Sequence, residues 1–73
     1  MTDYEIRNTI KEVLIKCRKE KGISQKKLAE AINSKPTTIA SWEQGDSLPK
    51  VHELYHLAKF YGKSIDYMYG EEK

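Results

Sequence analysis

The amino-acid sequence predicts an all-α domain of five short helices, on three observations. Apolar residues recur at three- and four-residue intervals in successive segments, the spacing that lines them along one helical face. Residues that start helices (Thr2, Ser24, Pro36, Ser64) alternate along the chain with residues that stop them (Gly22, Asn33, Gly45, Gly62). No segment alternates apolar and polar residues as a half-buried strand would, and no internal repeat or low-complexity tract interrupts the pattern.

The first helix is expected to begin at Thr2, because Thr2 and Glu5 have the spacing of a capping box, each side chain bonding the other residue's backbone N–H. Ile6, Ile10, Val13, Leu14 and Cys17 then share a face through about Lys21, and Gly22 supplies a stop that takes the left-handed conformation without a Cβ clash. Ser24 caps a short second helix that carries Leu28, Ala29 and Ile32 inward. Asn33, the non-glycine residue most tolerant of positive φ, then turns the chain. Pro36 needs no N–H and has its φ already set, so it opens a third helix that buries Ile39 and Trp42 and runs to Gln44, before Gly45. Pro49 is expected to open a fourth, with Val51, Leu54, Leu57, Ala58 and Tyr61 as its apolar stripe and Gly62 as its end. Ser64 caps a last short turn holding Ile65 and Met68.

A chain of 73 residues is expected to form one domain, residues 1–73, since a second core would need roughly 50 residues of its own. With 38% hydrophobic and 33% charged residues, a compact fold requires nearly every apolar side chain on a buried face. Cys17 is the only cysteine, which excludes an intramolecular disulfide; on an apolar stripe it reads as a packed, reduced thiol. No apolar run reaches the length of a membrane span and the charged N-terminus lacks a signal-peptide core, so a cytoplasmic location is expected. Residues 1–35 hold nine Lys/Arg against five Asp/Glu, and residues 36–73 four against six. That asymmetry is too mild to argue for nucleic acid by itself.

The arrangement of helices two and three is more informative. Two short helices joined by a three- or four-residue turn can present the second to the DNA major groove, which is wide enough to admit one helix. Ala29 falls where the two would cross, with Leu28, Ile32, Ile39 and Trp42 around it. The stretch Ser24–Gly45, SQKKLAEAINSKPTTIASWEQG, resembles the helix-turn-helix of the Cro and phage-repressor family. LPKVHELYHLAKFYGKSIDYMYG resembles that family's fourth and fifth helices, and RKEKGIS the end of its first. The resemblance covers about residues 10–70 and leaves an N-terminal extension on helix one.

The resemblance implies a five-helix, lambda-repressor-like DNA-binding domain that occupies operator half-sites as a homodimer. Carried over by position, Gln25 and Gln44 correspond to phosphate contacts, and Pro36, Thr37 and Ser41 to positions that face bases. Arg18 and Glu43 match a pair that forms an ion bridge beneath the recognition helix. Pro36–Leu48 contains no Lys or Arg, so further phosphate affinity is expected from the flanks: Lys26 or Lys27, Lys50, and Lys35, which borders the base-facing set as well. The chain departs from the family pattern in four places. Lys35 stands where Ser or Thr usually caps helix three, so the cap shifts to Ser34 or the helix starts without one. Asn33 replaces the usual turn glycine, Ser34 an apolar residue and Pro36 a polar base reader. Fewer base edges are therefore expected to be read by hydrogen bonds, with Thr37 touching a thymine methyl, Ser41 meeting several bases and DNA shape contributing the rest.

His52-Glu53-Leu54-Tyr55-His56 satisfies the zinc-protease pattern H-E-x-x-H. A catalytic zinc also needs a third protein ligand and a substrate cleft, and Leu54, Leu57 and Ala58 must face the core, which leaves both histidines outside as solvated side chains. Neither metal nor cofactor is expected, and no enzyme activity. The C-terminal third is crowded with aromatic residues and Met, types enriched at association surfaces, so a homodimer is expected through Leu48, Ile65, Tyr67 and Tyr69. The leading function is a sequence-specific transcriptional regulator, a repressor that acts by occupying its operator. The alternative is an antitoxin or restriction-modification controller that also binds a partner protein.

Overall fold

The computed structural model describes residues 2–70, which form α1 (Asp3–Lys21), α2 (Gln25–Ala31), α3 (Pro36–Gln44), α4 (Val51–Tyr61) and α5 (Ile65–Met68). The capping box at the start of α1 is present in full: Glu5 donates its N–H to Thr2 Oγ1 at 3.1 Å, and Thr2 donates its own to Glu5 Oε1 at 3.0 Å. The bond from Thr2 N–H to the ionised carboxylate, helped by the Thr2 side chain, holds the Glu5 pKa below its ordinary value. Ser24 and Ser64 cap α2 and α5 by accepting from Lys27 N and Tyr67 N, each at 3.0 Å.

The first four helices all close with the same pair of backbone bonds, in which the chain turns back through one left-handed residue. At the end of α2 that residue is Asn33, with φ +58°, and Ser34 N–H reaches back to Ala29 O at 2.7 Å. At the end of α3 it is Gly45, and Asp46 N–H reaches Ser41 O at 3.0 Å. These stops keep α2 and α3 short, so the α2–α3 turn is tight.

Ile10 and Leu14 from α1, Leu28 and Ala29 from α2, Ile39 and Trp42 from α3, Leu54, Leu57 and Ala58 from α4 and Met68 from α5 form one buried cluster. Full burial of each Leu, Ile or Met side chain among them contributes on the order of 1.5–3 kcal/mol. Ala29, at 1% exposure, is buried on α2, which packs against α3, so a larger side chain there would overfill the core. Cys17 is buried, and desolvation pushes its thiol pKa up, the reverse of an activated nucleophile.

The fourth helix departs from expectation at its start. Pro49 does not open it; α4 begins at Val51, with Lys50 as the preceding extended residue. The cause is Glu53, whose carboxylate accepts Lys50 N–H at 2.7 Å and so defines the cap two residues beyond the proline. Lys50 carries only donors, and no side-chain oxygen returns the bond. Val51 does not join the apolar stripe either, being 80% exposed. It sits at the edge of the stripe on the first helical turn, beyond the reach of the core. Ile32, expected to face inward, is half-buried as the residue that ends α2.

Because Asn33 occupies left-handed space, Asn33→Ala is expected to cost about 1 kcal/mol and Asn33→Gly less than that. Urea unfolding midpoints of the two variants check the ordering, and an Ala variant as stable as the Gly variant would contradict it.

Candidate nucleic-acid interface

The outward side of α3 is set by what its inward side must bury. Ile39 (1% exposed), Trp42 (3%) and Glu43 (7%) face the protein. With a 3.6-residue period, Thr37, Ser41 and Gln44 fall on the opposite strip at i, i+4 and i+7. Pro36, Thr37 and Gln44 are exposed, and Thr38, Ala40 and Ser41 are half-buried. Lys35 precedes the helix in extended conformation without forming a side-chain cap, and its own side chain is exposed. Of the two alternatives for this helix start, the uncapped one is observed. Lacking a capping oxygen, the first turn leaves its positive dipole end open beside the exposed residue Lys35.

Behind the strip, Arg18 clasps Glu43 with both sides of its guanidinium: Nε donates to Oε2 at 2.7 Å and Nη2 to Oε1 at 2.9 Å. The remaining fork nitrogen, Nη1, donates to Ile23 O at 2.8 Å. Gln25 Nε2 adds a further bond to Glu43 Oε1 at 3.1 Å. The carboxylate thus receives three donors, and α1, the α1–α2 turn, α2 and α3 meet at one point. The hydrogen bonds to Glu43 push the Arg18 pKa above its already high value, so the cation is permanent. A carboxylate in a helix that faces phosphate would repel it; here the charge is neutralised and turned inward.

Two contacts at this surface were not anticipated from the sequence. Ser41 Oγ and Ser47 Oγ share a hydrogen bond at 2.7 Å, which draws a loop residue onto the outward strip of α3. Arg7 Nη1 donates to Asp46 O at 3.2 Å, so the early part of α1 grips the same loop. Neither has a local signature, because both partners meet only once Gly45 has reversed the chain. The Gln25–Glu43 bond had a faint one: a carboxylate has about four acceptor sites, more than one Arg fills.

The other expected site residues are placed as follows. Lys26 and Lys50 are exposed, on α2 and before α4. Gln25 is half-buried, with one of its two amide hydrogens committed to Glu43. Leu48 and Tyr69 are exposed at 37% and 38%, while Ile65 and Tyr67 are half-buried against the core. Leu48 and Tyr69 belong to segments that both flank the first turns of α1: Arg7 bonds to the loop, and the Thr9 methyl lies where a side chain at Gly70 would sit. His52 and His56 are exposed, Glu53 is engaged as a helix cap, and among the described residues no group of three or more His, Cys, Asp or Glu is placed to hold a metal. Among the described residues no helix is long and apolar enough to cross a membrane.

A short capped helix, a tight left-handed turn and a second helix with a braced inner face and a polar outer strip define a DNA-binding helix-turn-helix domain. The chain belongs to the helix-turn-helix family, whose pattern it matches over residues 14–68, and that family is one of DNA-binding regulatory domains rather than enzymes. The resemblance read from the sequence, the all-α class and the five helices are therefore borne out.

Among curated proteins, the chain is similar to multiprotein-bridging factor 1a of Arabidopsis thaliana, with 28% identity over 89% of this chain and 46% of that protein. It is also similar to the HTH-type transcriptional activator BcrR of Enterococcus faecalis, with 32% identity over 85% of this chain and 30% of that protein. The chain thus spans less than half the length of these relatives. No solved structure matches it significantly.

Removing one partner of the Arg18–Glu43 bridge leaves a buried charge unpaired, so Arg18→Met is expected to lose about 3 kcal/mol of stability. The double variant Arg18→Met/Glu43→Leu should recover most of that loss. Denaturant titration of the three proteins tests this; a double variant no more stable than Arg18→Met would show that the bridge is more than a matched pair of charges.

Proposed function

We propose that residues 1–73 act as one domain that binds a pseudo-palindromic operator in double-stranded DNA as a homodimer, with α3 in the major groove, and regulates transcription by occupancy. The observation that carries this reading is the outward strip of α3, polar and free of acidic side chains because Glu43 is folded back onto Arg18. Thr37 and Ser41 face bases, joined by Pro36 and by Lys35 at the helix entry. Lys35 also serves with Lys26, Lys50, Gln25 and Gln44 as a phosphate contact. Leu48, Ile65, Tyr67 and Tyr69 form the contact between copies. Repression is the direction favoured, since blocking a site needs nothing more than occupancy, whereas activation needs an additional contact with the polymerase; the similar BcrR is named an activator.

A second reading has specific support. Similarity to a multiprotein-bridging factor, and a groove of about 470 Å³ between the α2–α3 turn and His52 and His56, favour a domain that also meets a partner protein. On that reading, His56→Glu keeps operator affinity in vitro and loses regulation of a reporter in cells; regulation retained in full would remove it.

Site selection from random duplexes, followed by a salt titration of the winning sequence, tests the leading reading. Two half-sites about one helical turn apart are expected, and Lys35→Ala should lower affinity for all duplexes and reduce the salt slope by about one unit. A lone half-site would remove the homodimer, an unchanged slope would remove Lys35, and the absence of any enriched sequence would remove sequence-specific binding.

A further inference from the structure

The hydroxyl pair Ser41–Ser47 has a consequence for how a base would be read. A serine hydroxyl carries one hydrogen and two acceptor lone pairs. At 2.7 Å the two oxygens share one hydrogen bond, so one hydroxyl has spent its hydrogen and the other one lone pair. If Ser41 is the donor, it offers a base only acceptor sites and favours the amino groups of cytosine or adenine. If Ser41 is the acceptor, its hydrogen remains free for guanine N7 or O6, adenine N7 or thymine O4, and one lone pair remains as well. In either case the bond fixes where the Ser41 oxygen sits, whereas a serine without this neighbour swings among its χ1 rotamers and discriminates poorly.

The partner is held in place by more than its own bond. The left-handed Gly45 and the bond from Asp46 N–H to Ser41 O at 3.0 Å fold the loop back over the last turns of α3, which brings residue 47 alongside residue 41. Arg7 then anchors the same loop by donating to Asp46 O at 3.2 Å. Arg7 lies before residues 14–68, the stretch that matches the family pattern, so this anchor comes from the part of α1 outside it.

We propose that Ser47 is a positioning residue that holds the Ser41 hydroxyl in one rotamer on the outward strip of α3, and that Arg7 steadies the loop carrying it. The proposal rests on the reading of Ser41 as a base-facing residue. Ser47 acts through Ser41 and need not touch DNA itself. The neighbouring strip residues Thr37 and Gln44 lie outside this pair, so the effect is confined to one base pair in each half-site.

The test is base preference, measured by competition between the selected operator and variants carrying each of the four base pairs at every half-site position. Ser47→Ala is expected to flatten the preference at one position by about fivefold, the worth of a single neutral hydrogen bond, without altering the salt slope. Ser47→Thr, which keeps the hydroxyl, should retain the preference, and Arg7→Met should weaken it at the same position. In a Ser41→Ala background, Ser47→Ala should add nothing. The role of Ser47 is overturned if Ser41→Ala changes the preference and Ser47→Ala does not, or if Ser47→Ala still acts when Ser41 is absent. If Ser41→Ala changes no preference at any position, the base-facing reading of Ser41 falls, and the role of Ser47 with it.

Discussion

The clasp of Arg18 on Glu43 is the constraint on which the presentation of α3 depends. A helix of nine residues is too short to be stable alone in water, and its orientation comes from tertiary contacts. Ile39 and Trp42 bury its inner face, but apolar contacts are non-directional and tolerate sliding. The guanidinium fork is directional: two parallel bonds to one carboxylate and a third to Ile23 O fix α3 against α1 in rotation as well as distance. Gln25 extends the clasp to the first residue of α2. The same contact solves an electrostatic problem, since it removes the negative charge of α3 from the side that would face phosphate.

Helix termination does the complementary work. Each of the first four helices is stopped by a left-handed residue that satisfies its last carbonyls internally, so the connections are short and adjacent helices cannot drift. At Asn33 this gives the turn between α2 and α3. At Gly45 it also returns the loop to the outward strip of α3, where Ser47 meets Ser41 and Arg7 meets Asp46. One backbone feature thereby terminates a helix, places a loop and conditions a side chain on the outer face.

Much of this was legible in the residues because the signals are local. Thr2 with Glu5, Ser24, Pro36 and Ser64 mark helix starts through bonds or dihedrals that span at most a few residues, and the left-handed stops act over the same range. The Arg18–Glu43 pair, far apart in sequence, came from a family resemblance, and so did the positions assigned to Thr37 and Ser41. Where expectation and structure part, a competing local bond or a boundary decided. Glu53 caps α4 at Lys50 and overrides the preference of Pro49 for a first helical position. Val51 has the right spacing for the stripe but lies past the edge of the core, which periodicity cannot see.

The order of residues alone determined the number and type of the elements, their caps and stops, and which faces are apolar, because these depend on backbone dihedrals and on spacings within one or two turns. Tertiary structure alone decided that Gln25 spends one amide hydrogen on Glu43, that Arg7 holds the loop after α3, and that Ser47 shares a hydrogen bond with Ser41. The physical reason is the same in each case. A hydrogen bond between distant segments requires donor and acceptor to arrive within about 3 Å at a favourable angle. That depends on how packed helices and reversed loops are oriented in space, which no spacing along the chain encodes.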